Sequence, residues 1–568
     1  GKDVGVSSTE AAIYKELDWF TRNGVKQKHT KLSRWFTGIA FNFTLGANVS
    51  GGLVNLSQMP LIVYPMLAAK YGPIKTARAM MGAFPIISKG GLTRKIEGVS
   101  DQVDGDGNPI MEEKTIKSAL SIANIDFNDP NLPAELQELK ELVETGIDLG
   151  QFKRSLDYEI MDIDRMSGFA AKFNKTSGFF LHHGERINRE VTMIASYKLA
   201  LDNMTAEQRA DPMMRREAAA EAVKDAESMN GGLAANATPR LAQNSLGRVI
   251  FMYKKYGVTM LSLLHKLSRE ALAGQSREAR RLARFQLAGI YGSAGVLAGV
   301  AGMPLYGTVA MLYDLFADDD DVEGDDFDSI VRMYLTEGPY RGGLNYLTGV
   351  NFATRVGLGE FLFRDTLVKS DMPLLYQYIE TVGGPLVGVY LNAERGFERF
   401  GQGEFYRGFE AMAPAAIKNG MKALRYYDDK GIENIAGDKI IADLHPAHVA
   451  LQAFGFSPAA YTRTLELNAD AKGAERGVVT RRSNLLRQYF RAYFDGDQKE
   501  VNKIARQMQK YNQDHPQYPI TIDTLTRSRK KRLSDKAKKY RGLTYNSRLR
   551  DRYVNYLEEY GDDVSMFF

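Results

Sequence analysis

Apolar positions along most of this chain recur every three to four residues, with alanine, leucine, glutamate, lysine, arginine and methionine filling the pattern, and alternating β-branched runs are nearly absent. That period predicts a mainly α fold: an elongated, multi-subdomain helical protein with glycine-rich, membrane-capable helices and no substantial β-sheet. Residues Ser8 to Arg34 pattern as an amphipathic helix with Ile13, Leu17, Trp19 and Phe20 among its apolar positions. A long helical region runs from about Leu136 to Met229, and within it Thr205-Ala206-Glu207-Gln208 has the form of a capping box. One long amphipathic helix is expected from about Leu246 through the arginines at 280 to 284. Near the C-terminus, Arg481 to Phe494 and Lys499 to Asn512 form a helical hairpin joined by Asp495-Gly496-Asp497 and closed by His515-Pro516.

Two stretches carry no charge at all. The first, Trp35 to Ala69, is studded with Asn42, Asn48, Ser50, Asn55, Ser57 and Gln58 and punctuated by Pro60 and Pro65. Those polar groups need partners once buried, so packing against protein is expected over facing lipid. The second, Phe285 to Tyr313, lies between Arg277, Arg280, Arg281 and Arg284 on one side and an acidic run from Asp314 to Asp328 on the other. As one helix its roughly 29 residues would extend about 43 Å, more than a hydrocarbon core of about 30 Å. Its glycines recur at helical spacing, Gly295 and Gly299 make a small-x-x-x-small pair, and Pro304 interrupts it. Three readings stay open: a buried glycine-rich hairpin, a segment that enters a membrane only at some stage, and a constitutive anchor. The membrane-engaging candidates are Leu287, Ile290, Gly295, Leu297, Gly299, Val300, Pro304 and Leu305.

These shifts divide the chain into an N-terminal helical region (1–96), an irregular acidic excursion (97–135), a long-helix region (136–284), the glycine-rich apolar segment with its acidic loop (285–328), a glycine- and aromatic-rich helical region (329–450), and a C-terminal hairpin with a basic tail (451–568). At 568 residues several subdomains are expected. The 74 Lys and Arg against 69 Asp and Glu leave a net charge of +5, much of it between Arg527 and Arg552. With no cysteine, disulfides and thiolate metal sites are excluded. The chain opens on Gly1, which reads as a processing product or the edge of a longer polypeptide.

Catalytic signatures do not emerge. His182, His183 and Glu185 lack the spacing of a two-histidine zinc helix and read as packing or interhelical hydrogen-bonding residues. His445 and His448 stand three apart with Pro446 between them. Asp104, Asp106 and Asn108 imitate a calcium loop, but Pro109 stands where glycine is needed and Thr115 replaces the terminal glutamate. There is no phosphate-cradling loop and no nucleophile–base pair, so no catalytic residue, cofactor or metal site is assigned and the visible chain is not expected to be an enzyme. The basic tail offers binding chemistry instead: Arg527, Arg529, Lys530, Lys531, Arg532, Lys536, Lys538 and Lys539, with Tyr540 and Tyr545 nearby, suit phosphates and stacking on bases without sequence preference. A solvated helix face or an acidic protein partner is the competing reading.

Several short motifs resemble one family. Phe454-Gly455-Phe456-Ser457-Pro458, Arg481-Arg482-Ser483-Asn484-Leu485-Leu486, Gly496-Asp497, Tyr511-Asn512, Pro516, Ile520-Thr521, Leu525 and Ser528-Arg529 are similar to the end of the large polyvalent internal virion proteins that short-tailed bacteriophages package with their DNA. Asn55 to Gly72 and Glu185 to Ala200 also look like that family. The resemblance implies a structural protein inside the capsid, a homo-oligomer around the portal axis with other core proteins. After ejection it would form a DNA-conducting channel across the host cell envelope, in contact with phage double-stranded DNA and the host inner membrane. It equally implies an alternative, the C-terminal docking scaffold of a virion-packaged polymerase or peptidoglycan transglycosylase whose catalytic domain lies before Gly1. A weaker third reading is a pore-forming effector of a non-phage system.

Overall fold

The computed structural model describes residues 31–91, 93–103, 109–117, 120–152, 173, 176–230, 255–316, 327–359, 385–434, 436–537, 539–540 and 543–544. The backbone groups into two compact units, Gly1–Leu312 with Val331–Leu465, and Tyr313–Ile330 with Glu466–Phe568. Helices dominate both, as the apolar period predicts.

The first unit opens with α1 (Lys31–Thr44), α2 (Val49–Leu56), a π-helical turn (Met59–Val63), α3 (Tyr64–Tyr71) and α4 (Pro73–Lys89). Asn48 caps α2 by accepting from the Ser50 N–H at 3.2 Å. Pro73 stands in the first turn of α4, where a missing N–H costs no intrahelical bond, while Pro60 and Pro65 stand at the start and just past the end of the π-helical turn inside the run Val49–Tyr71. Gly72, at φ +93°, turns the chain from α3 into α4.

Next, β1 (Thr93–Val103) and β2 (Pro109–Lys117) pair antiparallel, Thr93 opposite Lys117 and Val103 opposite Pro109. This corrects the irregular excursion expected from residue 97. The few β-branched residues of the two strands are spread thinly among charges, so no alternation stands out. The calcium-loop look-alike, 104–108, lies outside the described residues.

A 3₁₀ turn (Ile122–Asn124), α5 (Ala134–Gln137) and α6 (Lys140–Asp148) lead to α7 (Phe179–Asp202), α8 (Ala206–Ala210) and α9 (Pro212–Met229). The capping box forms at α8: Thr205 Oγ1 accepts from Gln208 N (3.3 Å) and Gln208 Oε1 from Thr205 N (3.0 Å). Helix α7 packs against α2, α4 and α9, and every residue from Asn188 to Tyr197 is buried. Such a helix is surrounded by protein on all sides. Its crossing with α2 is backbone-close, because a Cβ on Gly184 would lie 2.7 Å from the Gly52 carbonyl oxygen.

The expected helix from Leu246 through the arginines is two helices among the described residues, α10 (Lys255–Ala273) and α11 (Arg277–Ala298). Gly274 ends the first, and Ser276 starts the second by accepting from Ala279 N at 3.0 Å. A serine cap two residues beyond a glycine is a local stop-and-start signal that overrides a continuous apolar stripe.

A 3₁₀ turn (Val300–Gly302), α12 (Tyr306–Phe316), α13 (Phe327–Tyr334), α14 (Glu337–Thr348) and α15 (Ala353–Val356) follow. Then come α16 (Pro385–Gly401), α17 (Phe405–Met412), α18 (Ala415–Asp428), a hairpin of β3 (Gly431–Glu433) and β4 (Lys439–Ala442), and α19 (Pro446–Ala453). The core of this unit collects Leu61, Ile62, Val63 and Leu67 with Val191, Met193, Ile194, Ile290, Ala294 and Ala298.

The second unit holds most of α20 (Ala459–Asp495), with α21 (Gln498–Asp514), α22 (Ile522–Ala537) and a short hairpin of β5 (Lys539–Tyr540) and β6 (Leu543–Thr544). The α20–α21 hairpin is where the sequence placed it, although α20 begins well upstream of Arg481. Gly496 turns at φ +75° and Asp497 accepts from Lys499 N and Glu500 N, both at 3.1 Å. Leu485, Ala492, Val501, Ile504, Met508, Tyr511 and Ile520 form its core.

Candidate membrane-engaging and nucleic-acid surfaces

The two uncharged stretches pack on each other. Helix α11 runs antiparallel to α3: Gln286 Nε2 donates to Met66 O (3.5 Å), Gly289 lies over Pro65, and Ser293 Oγ sits 3.2 Å from Leu61 O and 2.8 Å from Gly289 O. A Cβ on Gly289 would stand 2.9 Å from Pro65 Cβ, so glycine sets the approach of the pair. Between the helices an open, largely apolar groove of about 680 Å³ is lined by Tyr64, Pro65, Ala68, Pro73, Phe285, Gly292 and Val296. Phe285 and Val296 are 55% and 70% exposed. The groove is thus a surface feature and not a core void.

Phe285 to Tyr313 is not one helix. Helix α11 stops at Ala298, Gly299 adopts φ +72°, Leu305 adopts φ +66°, and α12 restarts at Tyr306. Gly299 meets Gly342 of α14, itself at φ +84°, backbone against backbone. The break is held by Leu358 N donating to Gly302 O (2.8 Å) and Gly307 N to Gly359 O (3.1 Å). A continuous span of about 43 Å is therefore corrected to a helix–break–helix, as glycine and proline at the midpoint demand. Of the membrane-engaging candidates, Ile290, Gly299 and Pro304 are buried, while Leu287, Gly295, Leu297, Val300 and Leu305 are half-buried.

Among the described residues the helical run long and apolar enough to cross a membrane is instead Val49–Tyr71, 23 residues and half buried. Several of its polar groups are hydrogen-bonded, while Asn55 Nδ2 is buried without a hydrogen-bond partner among the described residues. Asn188 Nδ2 donates to Asn55 O (2.5 Å), Gln58 Nε2 donates to Asn55 Oδ1 (2.7 Å), and Ser57 Oγ donates to Val54 O (2.6 Å), while in the preceding α1 Asn42 Oδ1 accepts from Ser177 Oγ (2.5 Å).

Nearby, Glu190 is 1% exposed, accepting from Ser121 Oγ (2.6 Å) and Ile122 N (3.0 Å) with Arg186 at 3.6 Å. Burial pushes its carboxyl above 4.5, against the Ser121 hydrogen bond and the Arg186 charge that favour the ion.

On α22 the basic cluster splits around the helix. Arg527, Arg529, Lys530 and Lys531 are exposed, and Arg529 also lies over the Tyr493 ring at 5.9 Å. Arg532 is half-buried, its guanidinium 5.9 Å from the Phe490 ring, and burial lowers its pKa. Helix α20 places exposed Arg487, Arg491 and Tyr493 in the same unit. The side chains of Lys536 and Lys539, and the whole of Lys538 and Tyr545, lie outside the described residues.

Several motif residues of the C-terminal region make contacts that hold the hairpin together. Arg482 Nη2 donates to Pro519 O (2.8 Å), Tyr511 OH to Val478 O (3.1 Å), and Asn512 clasps Ile520 through both its amide atoms (3.0 and 2.7 Å). His183 packs edge-on to Phe179 at 4.0 Å, and Glu185 faces Arg189 at 3.8 Å. His445 accepts from Ala447 N at 3.2 Å to cap α19. Comparison with family models, with curated proteins and with solved structures finds no match.

Sequence reasoning missed the α3 wall of the groove. Tyr64, Pro65 and Ala68 are ordinary helix residues until α11 is laid beside them, and the available signal was a proline-spaced uncharged helix of length similar to the glycine-rich one.

Proposed function

We propose that this chain is an internal virion protein of a short-tailed bacteriophage, part of an ejected core that forms a DNA-conducting channel across the host cell envelope. The observation that carries the reading is the docking of α11 onto the membrane-length run Val49–Tyr71 with an open apolar groove between them. Inside the particle the two uncharged stretches cover one another. After release, separation of that pair would offer Val49–Tyr71 to lipid. The exposed cations of α22, at the end of a helix hairpin with exposed tyrosine, then suit passing phosphates.

The test exploits the absence of cysteine. Cysteines at positions 65 and 289 start with their Cβ atoms near 2.9 Å, and opening by roughly 1 Å reaches disulfide geometry. The reduced variant should bind vesicles and support dye release, the oxidised variant should not, and reductant should restore both. Equal activity of the two forms sinks the separation of α3 from α11.

A protein-docking scaffold is the second reading, favoured by an exposed aromatic patch. Phe397, Phe405 and Phe409 are 64%, 64% and 62% exposed and gather around Phe400. A chain whose reduced and oxidised forms both ignore vesicles would favour it.

A further inference from the structure

Three asparagines from three separate elements bring amide atoms to one small cavity. Asn55 stands near the end of α2, Asn188 within α7, and Asn230 just past α9. Gln58, Glu185 and Arg189 complete the lining, and the centre of a water-sized molecule has about 10 Å³ in which to sit. Hydrogen bonds tie the three asparagines together. Asn188 Nδ2 donates to Asn55 O (2.5 Å), Thr192 Oγ1 donates to Asn188 O (2.7 Å), and Asn230 Nδ2 donates to Thr192 Oγ1 (3.0 Å).

Each asparagine leaves one amide atom over. Asn55 Nδ2, Asn188 Oδ1 and Asn230 Oδ1 are buried and, among the described residues, have no hydrogen-bond partner. Their orientations are fixed by other contacts. Asn188 donates to the Asn55 carbonyl, and Asn230 to the Ala226 carbonyl at 3.1 Å, so in both the oxygen is the atom left over. Asn55 Oδ1 accepts from Gln58 Nε2 at 2.7 Å, which leaves its nitrogen. Asn55 and Asn188 are only 9% and 1% exposed, and amide atoms at that depth are costly to leave unpaired.

The chemistry of the lining selects the occupant. Two carbonyl oxygens call for donors and one N–H group for an acceptor, the complement of a water molecule with its two hydrogens and its lone pairs. A cation would meet the Asn55 N–H group and the Arg189 guanidinium. An anion would meet two amide oxygens and the Glu185 carboxylate. Glu185 and Arg189 face each other at 3.8 Å and balance in charge, so the lining favours a neutral molecule. The space suits one water and is too small for a hydrated ion.

We propose that this cavity binds a single water molecule that bridges α2, α7 and the end of α9, accepting from Asn55 Nδ2 and donating to Asn188 Oδ1 and Asn230 Oδ1. The bridge has a mechanical role. Asn55 and Gln58 belong to the membrane-length run Val49–Tyr71, and the water ties the polar end of that run to α7, where Gly52 and Gly184 already meet closely. The site stands whether or not that run ever leaves the protein.

Crystals of the full chain, at a resolution that shows ordered water, should carry one density peak within about 3.2 Å of all three atoms. In solution, the Asn55 side-chain amide protons of the ¹⁵N-asparagine-labelled full chain should show a water ROE of sign opposite to chemical exchange. Asn55→Leu removes the donor and fills the space, so the peak should vanish while the α7 amides keep their exchange protection. Crystals soaked in rubidium or bromide should show no anomalous signal at the peak. Four results overturn the site: an anomalous signal there, no density where other buried waters are visible, asparagines that close directly on one another, or a peak unchanged in Asn55→Leu. If that variant does not fold, the density and the ROE of the parent decide the matter.

Discussion

Two glycines three residues apart in α11 should respond to the same substitution with opposite consequences. Gly289 and Gly292 both lie within a regular helix, so changing either to alanine brings a similar propensity gain, about 1 kcal/mol. Their surroundings differ. At Gly292 a Cβ meets nothing within 4 Å, whereas at Gly289 it stands 2.9 Å from the rigid Pro65 ring. Ordinary carbon contacts begin near 3.5 Å, so α3 and α11 must part by roughly 0.6 Å or more at that point. Overpacking of this kind costs about 1–3 kcal/mol. Gly292→Ala should therefore stabilise α11 by about 0.5–1 kcal/mol, and Gly289→Ala should fall about 1–3 kcal/mol below it. Because the chain has two units, a single unfolding midpoint mixes them, and native-state hydrogen exchange of the α11 amides is the appropriate assay. Equal protection in the two variants would refute the close docking of α11 on α3.

Other outcomes are equally specific. Glu190 holds its proton above 4.5 in the folded state, so native protein binds more protons there than unfolded protein and stability falls as pH rises from 4.5 through the raised value. Glu190→Gln should flatten that part of the pH profile of α7 amide exchange, leaving a slope of the same sign from Asp225, whose pKa burial also raises; an unchanged slope would exonerate Glu190. Ser276→Ala removes the cap between α10 and α11 and should cost about 1 kcal/mol, read as faster exchange in the first turn of α11 and not in its last. Lys530→Gln/Lys531→Gln should lower the slope of log K against log salt for duplex DNA by roughly 1–2, whereas Arg532→Gln, packed on Phe490, should leave the slope and lower the stability of the C-terminal hairpin.

What the sequence made legible was local. The capping box at Thr205 and the Asp495-Gly496-Asp497 turn are written in a few adjacent residues, and both form as expected. The α10–α11 break was equally local, with Gly274 and Ser276 in plain view, but the surrounding apolar stripe outweighed them. The β1–β2 hairpin escaped because its strands are rich in charge, so alternation carried little contrast. The pairing of α3 with α11 joins residues more than 200 positions apart, and no period within either helix points to the other. The burial of Arg532 beside exposed Lys531 was likewise invisible, since a run of cations reads as one cluster until a helix divides its faces.

The stitched break after Ala298 has a topological meaning. From Phe285 to Ala298 the uncharged part of α11 rises only about 21 Å, short of a hydrocarbon core of about 30 Å, and Pro304 forbids simple extension through the break. Lipid could receive this segment only as a re-entrant loop, keeping the arginines before Phe285 and the aspartates after Tyr313 on the same leaflet side. On the proposed reading an uninterrupted crossing would fall to Val49–Tyr71, whose rise of about 34 Å suffices. On that reading the glycine-rich helix–break–helix would act as a removable cover for a spanning helix, and its own ends would never need to cross the bilayer.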